Sequence, residues 1–140
     1  MPHGMSYPVA GMVRKFEPDG YPPGHPIVPH GMSVILNAPA VFRFTAPTNP
    51  ERHLNAAMLM GADLSDVGLR DAGGVLGDTI VRFIQDMGLP NGLSAVGYSS
   101  DEVPSLVQGT LPQHRVTKLS PRPAGADELT QLFQDSLTLW

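Results

Sequence analysis

The chain has 140 residues, enough for one domain with a modest core. With 41% apolar and 16% charged residues it has a globular rather than a disordered balance. A net charge of −4 with scattered Lys and Arg leaves no basic stripe for nucleic acid or an anionic membrane surface, and the lack of cysteine excludes disulfides, thiolate metal ligands and a cysteine nucleophile.

The chain opens on Pro2-His3-Gly4-Met5-Ser6, and the same letters recur as Pro29-His30-Gly31-Met32-Ser33. Each copy starts a mostly apolar segment. Proline suits a first helical position because its missing N–H would be unpaired there anyway, so both histidines are expected in first turns. No signal-peptide pattern precedes the first copy, and so abrupt a start suggests the C-terminal piece of a longer protein. Residues 3–14 read as a short, buried helix, kinked at Pro8, with His3 and Tyr7 on one face. Residues 15–28 hold Pro18, Pro22, Pro23 and Pro26 and read as an ordered loop carrying His25.

From His30 to about Ala46 the chain is apolar nearly all round. Periodicity alone does not separate a buried helix from a buried strand pair here. Length and the Pro-His-Gly start favour a helix buried on every side and kinked at Pro39. Asn49, Pro50 and Glu51 open the next helix, which Gly61 stops. Arg70 to Met87 carries the clearest amphipathic spacing and ends at Gly88-Leu89-Pro90. Its Gly73, Gly74 and Gly77 each cost about 1 kcal/mol against Ala unless close packing needs them. Ser99 and Glu102 form a capping-box signal before a short helix with Val103, Leu106, Val107 and Leu111. A polar loop over 112–125 follows, then a final helix marked by Leu129, Leu132, Phe133, Leu137 and Trp140. No strand alternation between hairpin turns appears. The expected fold class is all-α, with about six helices.

Any metal would take nitrogen and oxygen ligands, and His3 and His30 supply two imidazoles. The pair alone reads equally as capping or core histidines. A catalytic divalent site wants further ligands, for which His25, His53, Asp63, Asp71 and Asp78 are candidates without a convincing local context. His53, beside Arg52, reads as solvated; His25 as an exposed loop residue; His114, beside Arg115, as surface. Gly73-Gly74-x-x-Gly77 lies inside a periodic helix rather than a strand–helix turn, so it is no dinucleotide fingerprint.

Two motifs go further. His3-Gly4-Met5-Ser6-Tyr7-Pro8-Val9-Ala10-Gly11, followed by Pro29-His30-Gly31, resembles the metal-binding part of the iron-containing (group III) alcohol dehydrogenases. Ser120-Pro121-Arg122-Pro123 and the acidic-capped last helix resemble that family's C-terminal end, so the likeness covers essentially the whole chain. It implies that residues 1–140 are the helical, bundle-like C-terminal domain of the dehydroquinate synthase-like fold, without its first part and without the N-terminal nucleotide-binding α/β domain. It implies His3 and His30 as ligands of a divalent metal, iron(II) or zinc, and NAD(P) in the full-length enzyme, with no cofactor-binding residue in this chain. Tyr7 stands where most members carry a second histidine near the nicotinamide, which implies a pocket or proton-relay role.

His25-Pro26-Ile27-Val28-Pro29-His30-Gly31, Pro50-Glu51-Arg52-His53-Leu54, Gly97-Tyr98-Ser99 and the stretch Gly109 to Leu119 resemble the hydroxyacid–oxoacid transhydrogenase branch. That branch implies oxidation of 4-hydroxybutyrate to succinate semialdehyde with reduction of 2-oxoglutarate to 2-hydroxyglutarate, on a nicotinamide recycled in place. The family's Asp-x-x-x-His pair does not occur here, so half the metal site and a missing N-terminal half are expected elsewhere, and the chain alone is expected to be inactive. The implied partners are a hydroxyacid, oxoacid or alcohol substrate, with no nucleic acid or membrane and a homo-oligomer left open. The implied compartment is bacterial cytoplasm or mitochondrial matrix. The alternatives are a general iron-containing alcohol dehydrogenase fragment, or a non-catalytic helical module whose 30–46 helix pairs with a partner chain.

Overall fold

The computed structural model describes residues 1–140. It is all-α: α1 (Pro2–Gly11), α2 (His30–Ile35), α3 (Ala38–Thr45), α4 (Pro50–Leu59), α5 (Ala72–Asp86), α6 (Val103–Thr110), α7 (His114–Thr117) and α8 (Ala126–Leu137). Helix α1 packs on α2, α6 and α7, and α3 packs on α5 and α8. Helix α4 covers α5, and α6 leans on α8. The interior is one apolar cluster that includes the fully buried Met5, Val9, Leu36, Ile84, Leu106 and Phe133.

The predicted caps form. The Asn49 side-chain oxygen accepts the Arg52 N–H at 3.0 Å. The Ser99 N–H and hydroxyl donate to the Glu102 carboxylate at 2.8 and 2.6 Å, which holds that carboxyl below its usual range. Gly61 and Gly88 take φ of +89° and +65° and close α4 and α5, each with a long backbone bond back across the last turn: Ala62 to Ala57 at 2.9 Å, Leu89 to Ile84 at 3.0 Å.

Two expectations need correction, and together they raise the helix count from about six to eight. The 30–46 segment is two helices, broken at Leu36 and Asn37 rather than kinked at Pro39. Pro39 has no N–H to return to the carbonyl of Ile35, so the helix ends and restarts with Pro39 in its first turn. Nor is the segment buried on every side. Arg43 is exposed and pairs with Asp78 at 2.6 Å, while Leu36, Ala38, Ala40 and Val41 are buried within this chain. The buried side of the segment is therefore covered within this chain. The second correction is α7, a single turn inside the expected polar loop.

Two of the three α5 glycines lie close under Arg43, Gly73 against its backbone and Gly77 against its flexible side chain. A Cβ at Gly73 would stand 3.0 Å from the Arg43 carbonyl oxygen, and one at Gly77 would stand 2.7 Å from Arg43 Nε. Gly74 faces open space.

Tyr98 ties α1 to the rest of the fold. Its buried hydroxyl donates to the Val9 carbonyl at 2.6 Å, near the end of α1. Burial, then the Glu102 carboxylate, push the phenol up to about 12, against the opposing pull of Arg14. We expect Tyr98→Phe to cost about 1–3 kcal/mol at pH 7, because the buried carbonyl is left unpaired. Raising the pH from 10 to 12 ionises the phenol in the unfolded chain before the folded one. Stability of the native sequence therefore falls across that window. Urea melts at pH 7 and 11 should show this component of the fall missing in Tyr98→Phe.

Candidate metal centre

The two Pro-His-Gly-Met-Ser copies build the same local device. In each, the serine three residues after the histidine is fully buried and donates its hydroxyl back to the histidine carbonyl: Ser6 to His3 and Ser33 to His30, both at 2.8 Å. The serine anchors the first turn in the core while the imidazole faces outward, and both histidines are exposed. The copies differ at the proline. Pro2 is the first residue of α1, as expected, but Pro29 caps α2 from outside and His30 is the first helical residue. Below His30, the buried Asn37 adds a second brace, its amide donating to the Ser33 carbonyl at 2.7 Å.

Packing of α1 on α2 brings the two imidazoles together, with ring centroids 5.2 Å apart and planes tilted by 59°. Two imidazoles bound to one tetrahedral metal at about 2.0–2.1 Å per bond would have centroids roughly 5 Å apart. The spacing and the donor set therefore fit a divalent metal. Tyr7, half-buried one turn after His3, lies with its ring 6.3 Å from that of His30. A cavity of about 500 Å³ lies elsewhere, between α3 and α5, and includes neither histidine.

The other candidate ligands are held away. No group of three or more His, Asp or Glu forms anywhere in the chain. Asp63 accepts the Ser65 N–H and hydroxyl, at 3.0 and 2.6 Å, which holds its carboxyl below the usual range. Asp71 accepts the Gly68 N–H at 2.9 Å, and Asp78 is taken by Arg43. His25 and His114 are exposed, as expected. His53 is not solvated as expected. It is buried, with Nδ1 donating to the Asn49 carbonyl at 2.8 Å and Nε2 3.1 Å from the Thr45 hydroxyl.

One residue at this end of the fold was missed by the sequence reading. Arg115, on α7, donates to the Tyr7 hydroxyl at 3.3 Å across 108 positions. Its approach depends on Gly4: a Cβ there would stand 2.5 Å from Thr117 Cγ2, whereas the matching Gly31 faces open space. The two glycines of the repeat thus do different things, and only the first makes room for α7.

Residues 22–137 match the C-terminal part of the Fe-containing alcohol dehydrogenase family. The mitochondrial hydroxyacid-oxoacid transhydrogenase of Xenopus laevis is 52% identical over 138 residues, 99% of this chain and 30% of that protein. The probable mitochondrial hydroxyacid-oxoacid transhydrogenase of Dictyostelium discoideum is 53% identical over 139 residues, 99% of this chain and 25% of that protein. The human one is 51% identical over 138 residues, with 99% and 30% covered. The chain thus spans less than a third of the length of these relatives. A solved 1,3-propanediol oxidoreductase superposes with a TM-score of 0.78 at 24% identity, over 96% of this chain and 32% of that one. The alcohol dehydrogenase of Oenococcus oeni does so with 0.79 at 20% identity, over the same shares. Both are likenesses of fold, and no helix here is long and apolar enough to cross a membrane. The chain belongs to the Fe-containing alcohol dehydrogenase family, whose C-terminal domain it matches.

Proposed function

We propose that this chain is the metal-binding part of a hydroxyacid–oxoacid transhydrogenase, with His3 and His30 as two ligands of a divalent metal, iron(II) or zinc. The observation that carries the reading is the imidazole pair at 5.2 Å, presented outward by two buried serine anchors. The identity of just over 50% to relatives with that name supports the branch. No third ligating side chain joins the pair within these residues, so the remaining ligands and the NAD(P) site come from outside them. A metal held by His3 and His30 would supply Lewis-acid polarisation of the substrate oxygen, and a nicotinamide bound outside these residues would take and return the hydride.

The chain's own residues do the rest. Ser6 and Ser33 fix the first turns, so the backbone that carries both histidines is set before anything binds. Tyr7 lies beside His30, and its hydroxyl, which accepts from Arg115 at 3.3 Å, keeps its own proton to give at the substrate oxygen. 4-Hydroxybutyrate would lose a hydride and a proton to give succinate semialdehyde, and 2-oxoglutarate would gain both to give 2-hydroxyglutarate. A mitochondrial matrix location, or cytoplasm in a bacterium, goes with the reading.

The test is to pair this chain with the nucleotide-binding half of a relative and follow 4-hydroxybutyrate-dependent reduction of 2-oxoglutarate. Turnover of both acids is expected. Activity with simple alcohols alone would move the assignment to the broader alcohol dehydrogenase family. Failure to bind metal or turn over any alcohol would leave a non-catalytic helical module.

A further inference from the structure

Arg115 has no acidic partner. The chain holds one ion pair, Arg43 with Asp78, and Arg115 is exposed with a single hydrogen bond, to the neutral Tyr7 hydroxyl. A guanidinium offers five donors in a planar fork matched to a carboxylate, and one weak bond to a phenol leaves most of them free. Its position is built rather than incidental. Helix α7 is short, but its Thr117 hydroxyl bonds the Gln113 carbonyl at 3.0 Å, and Thr117 and Val116 seat on the bare backbone of Gly4, next to His3. The order across the surface is therefore His3 and His30, then Tyr7, then Arg115.

We propose that Arg115 is the specificity-determining residue that binds the carboxylate of the hydroxyacid or oxoacid, while the hydroxyl or carbonyl end lies at His3 and His30. The inference rests on the metal-centre reading above and names what that reading leaves open, namely how an acid is told from a plain alcohol. A substrate with an oxygen function at one end and a carboxylate at the other offers a partner to each end of that line. A neutral alcohol fills the first position and leaves Arg115 unused. A charge-assisted, forked contact of this kind is one that a carboxylate makes and a plain alcohol does not.

The experiment compares 4-hydroxybutyrate with 1,4-butanediol, its neutral counterpart, in the enzyme assembled from this chain and a nucleotide-binding half. Arg115→Met should raise KM for 4-hydroxybutyrate by about 10- to 100-fold with kcat little changed, and leave the diol within about threefold. Arg115→Lys, which keeps the charge but not the fork, should fall between. Tyr7→Phe removes the hydroxyl that Arg115 touches. It should lower turnover of both substrates while keeping the acid-to-diol KM ratio, which separates carboxylate binding from a role through Tyr7. If Arg115→Met changes acid and diol alike, or changes neither, the Arg115 assignment is overturned while the hydroxyacid reading stands. If the unsubstituted enzyme oxidises the diol but not the acid, the hydroxyacid reading itself fails, and Arg115 with it.

Discussion

Replacing either His3 or His30 with alanine is expected to lower the affinity of the chain for zinc or iron(II) by at least about 100-fold, more than the roughly 10- to 100-fold typical of losing an outer-shell partner. The two substitutions should also be far from additive. A single remaining imidazole has no second donor within the chain to chelate with, so either single variant should bind nearly as weakly as the double variant. His25→Ala and His114→Ala are the matched controls, since both side chains are exposed and neither ring meets the pair. Titration calorimetry reads the affinities directly. Because His3 and His30 are themselves exposed, their removal should move the thermal midpoint of the metal-free chain by little, so a lost heat of binding cannot be ascribed to unfolding. Equal affinity in the native sequence and both single variants would remove the ligand assignment.

What the sequence made legible was local. Helices α4, α5 and α8 carry their own periodicity, and Asn49, Ser99 with Glu102, Gly61 and Gly88 carry their own stop and start chemistry, so each could be placed without knowing what it touches. The paired histidines were legible for the same reason, since a repeated pentapeptide needs no tertiary knowledge to be noticed. The misses are tertiary. His53 looks like an ordinary helix-surface residue beside Arg52, and it is buried because Thr45 and the Phe42 ring edge, from the preceding helix, close over it. The break before Pro39 is invisible to a hydrophobic count, because it comes from a missing backbone N–H rather than from polarity, and the buried Asn37 at the junction is satisfied only by the Ser33 carbonyl that the fold brings to it. Arg115 lies in a stretch with a branch likeness but no helical periodicity to place it, and only the docking of α7 on Gly4 brings it to residue 7. At Arg122 a family motif was noticed without its role: the guanidinium sits 4.0 Å over the Phe44 ring and donates to the Phe44 carbonyl, which pins the segment before α8 to α3.

Gly92→Ala should be among the most damaging small substitutions in the chain, with an expected loss of about 3 kcal/mol or more and a fall of roughly 10 °C in thermal midpoint. Two independent effects act at this position. Its φ of +73° is left-handed, a conformation that costs an L residue about 1–2 kcal/mol. A Cβ would also stand 2.5 Å from the Leu137 carbonyl oxygen and 2.7 Å from that of Ser136, and these are backbone atoms that cannot rotate aside. The flanking residues tie this turn to the end of α8. The Leu93 N–H donates to the Ser136 carbonyl at 2.8 Å, and the Asn91 side-chain oxygen accepts the Leu139 and Trp140 N–H groups at 2.8 and 3.1 Å. Relief of the clash therefore breaks those bonds and lifts the helix that buries Leu129, Leu132 and Phe133. Gly92→Asn tolerates the left-handed φ better but keeps the clash, so it should recover only part of the loss. Gly74→Ala is the opposite case. It is exposed within α5 with nothing near its missing Cβ, and the same change there should stabilise by about 0.5–1 kcal/mol. Urea denaturation of the three variants decides the matter: a Gly92→Ala loss no larger than that of Gly92→Asn would mean that steric contact with α8, not backbone conformation, carries the whole effect, and a loss under about 1 kcal/mol would mean that the end of α8 gives way freely.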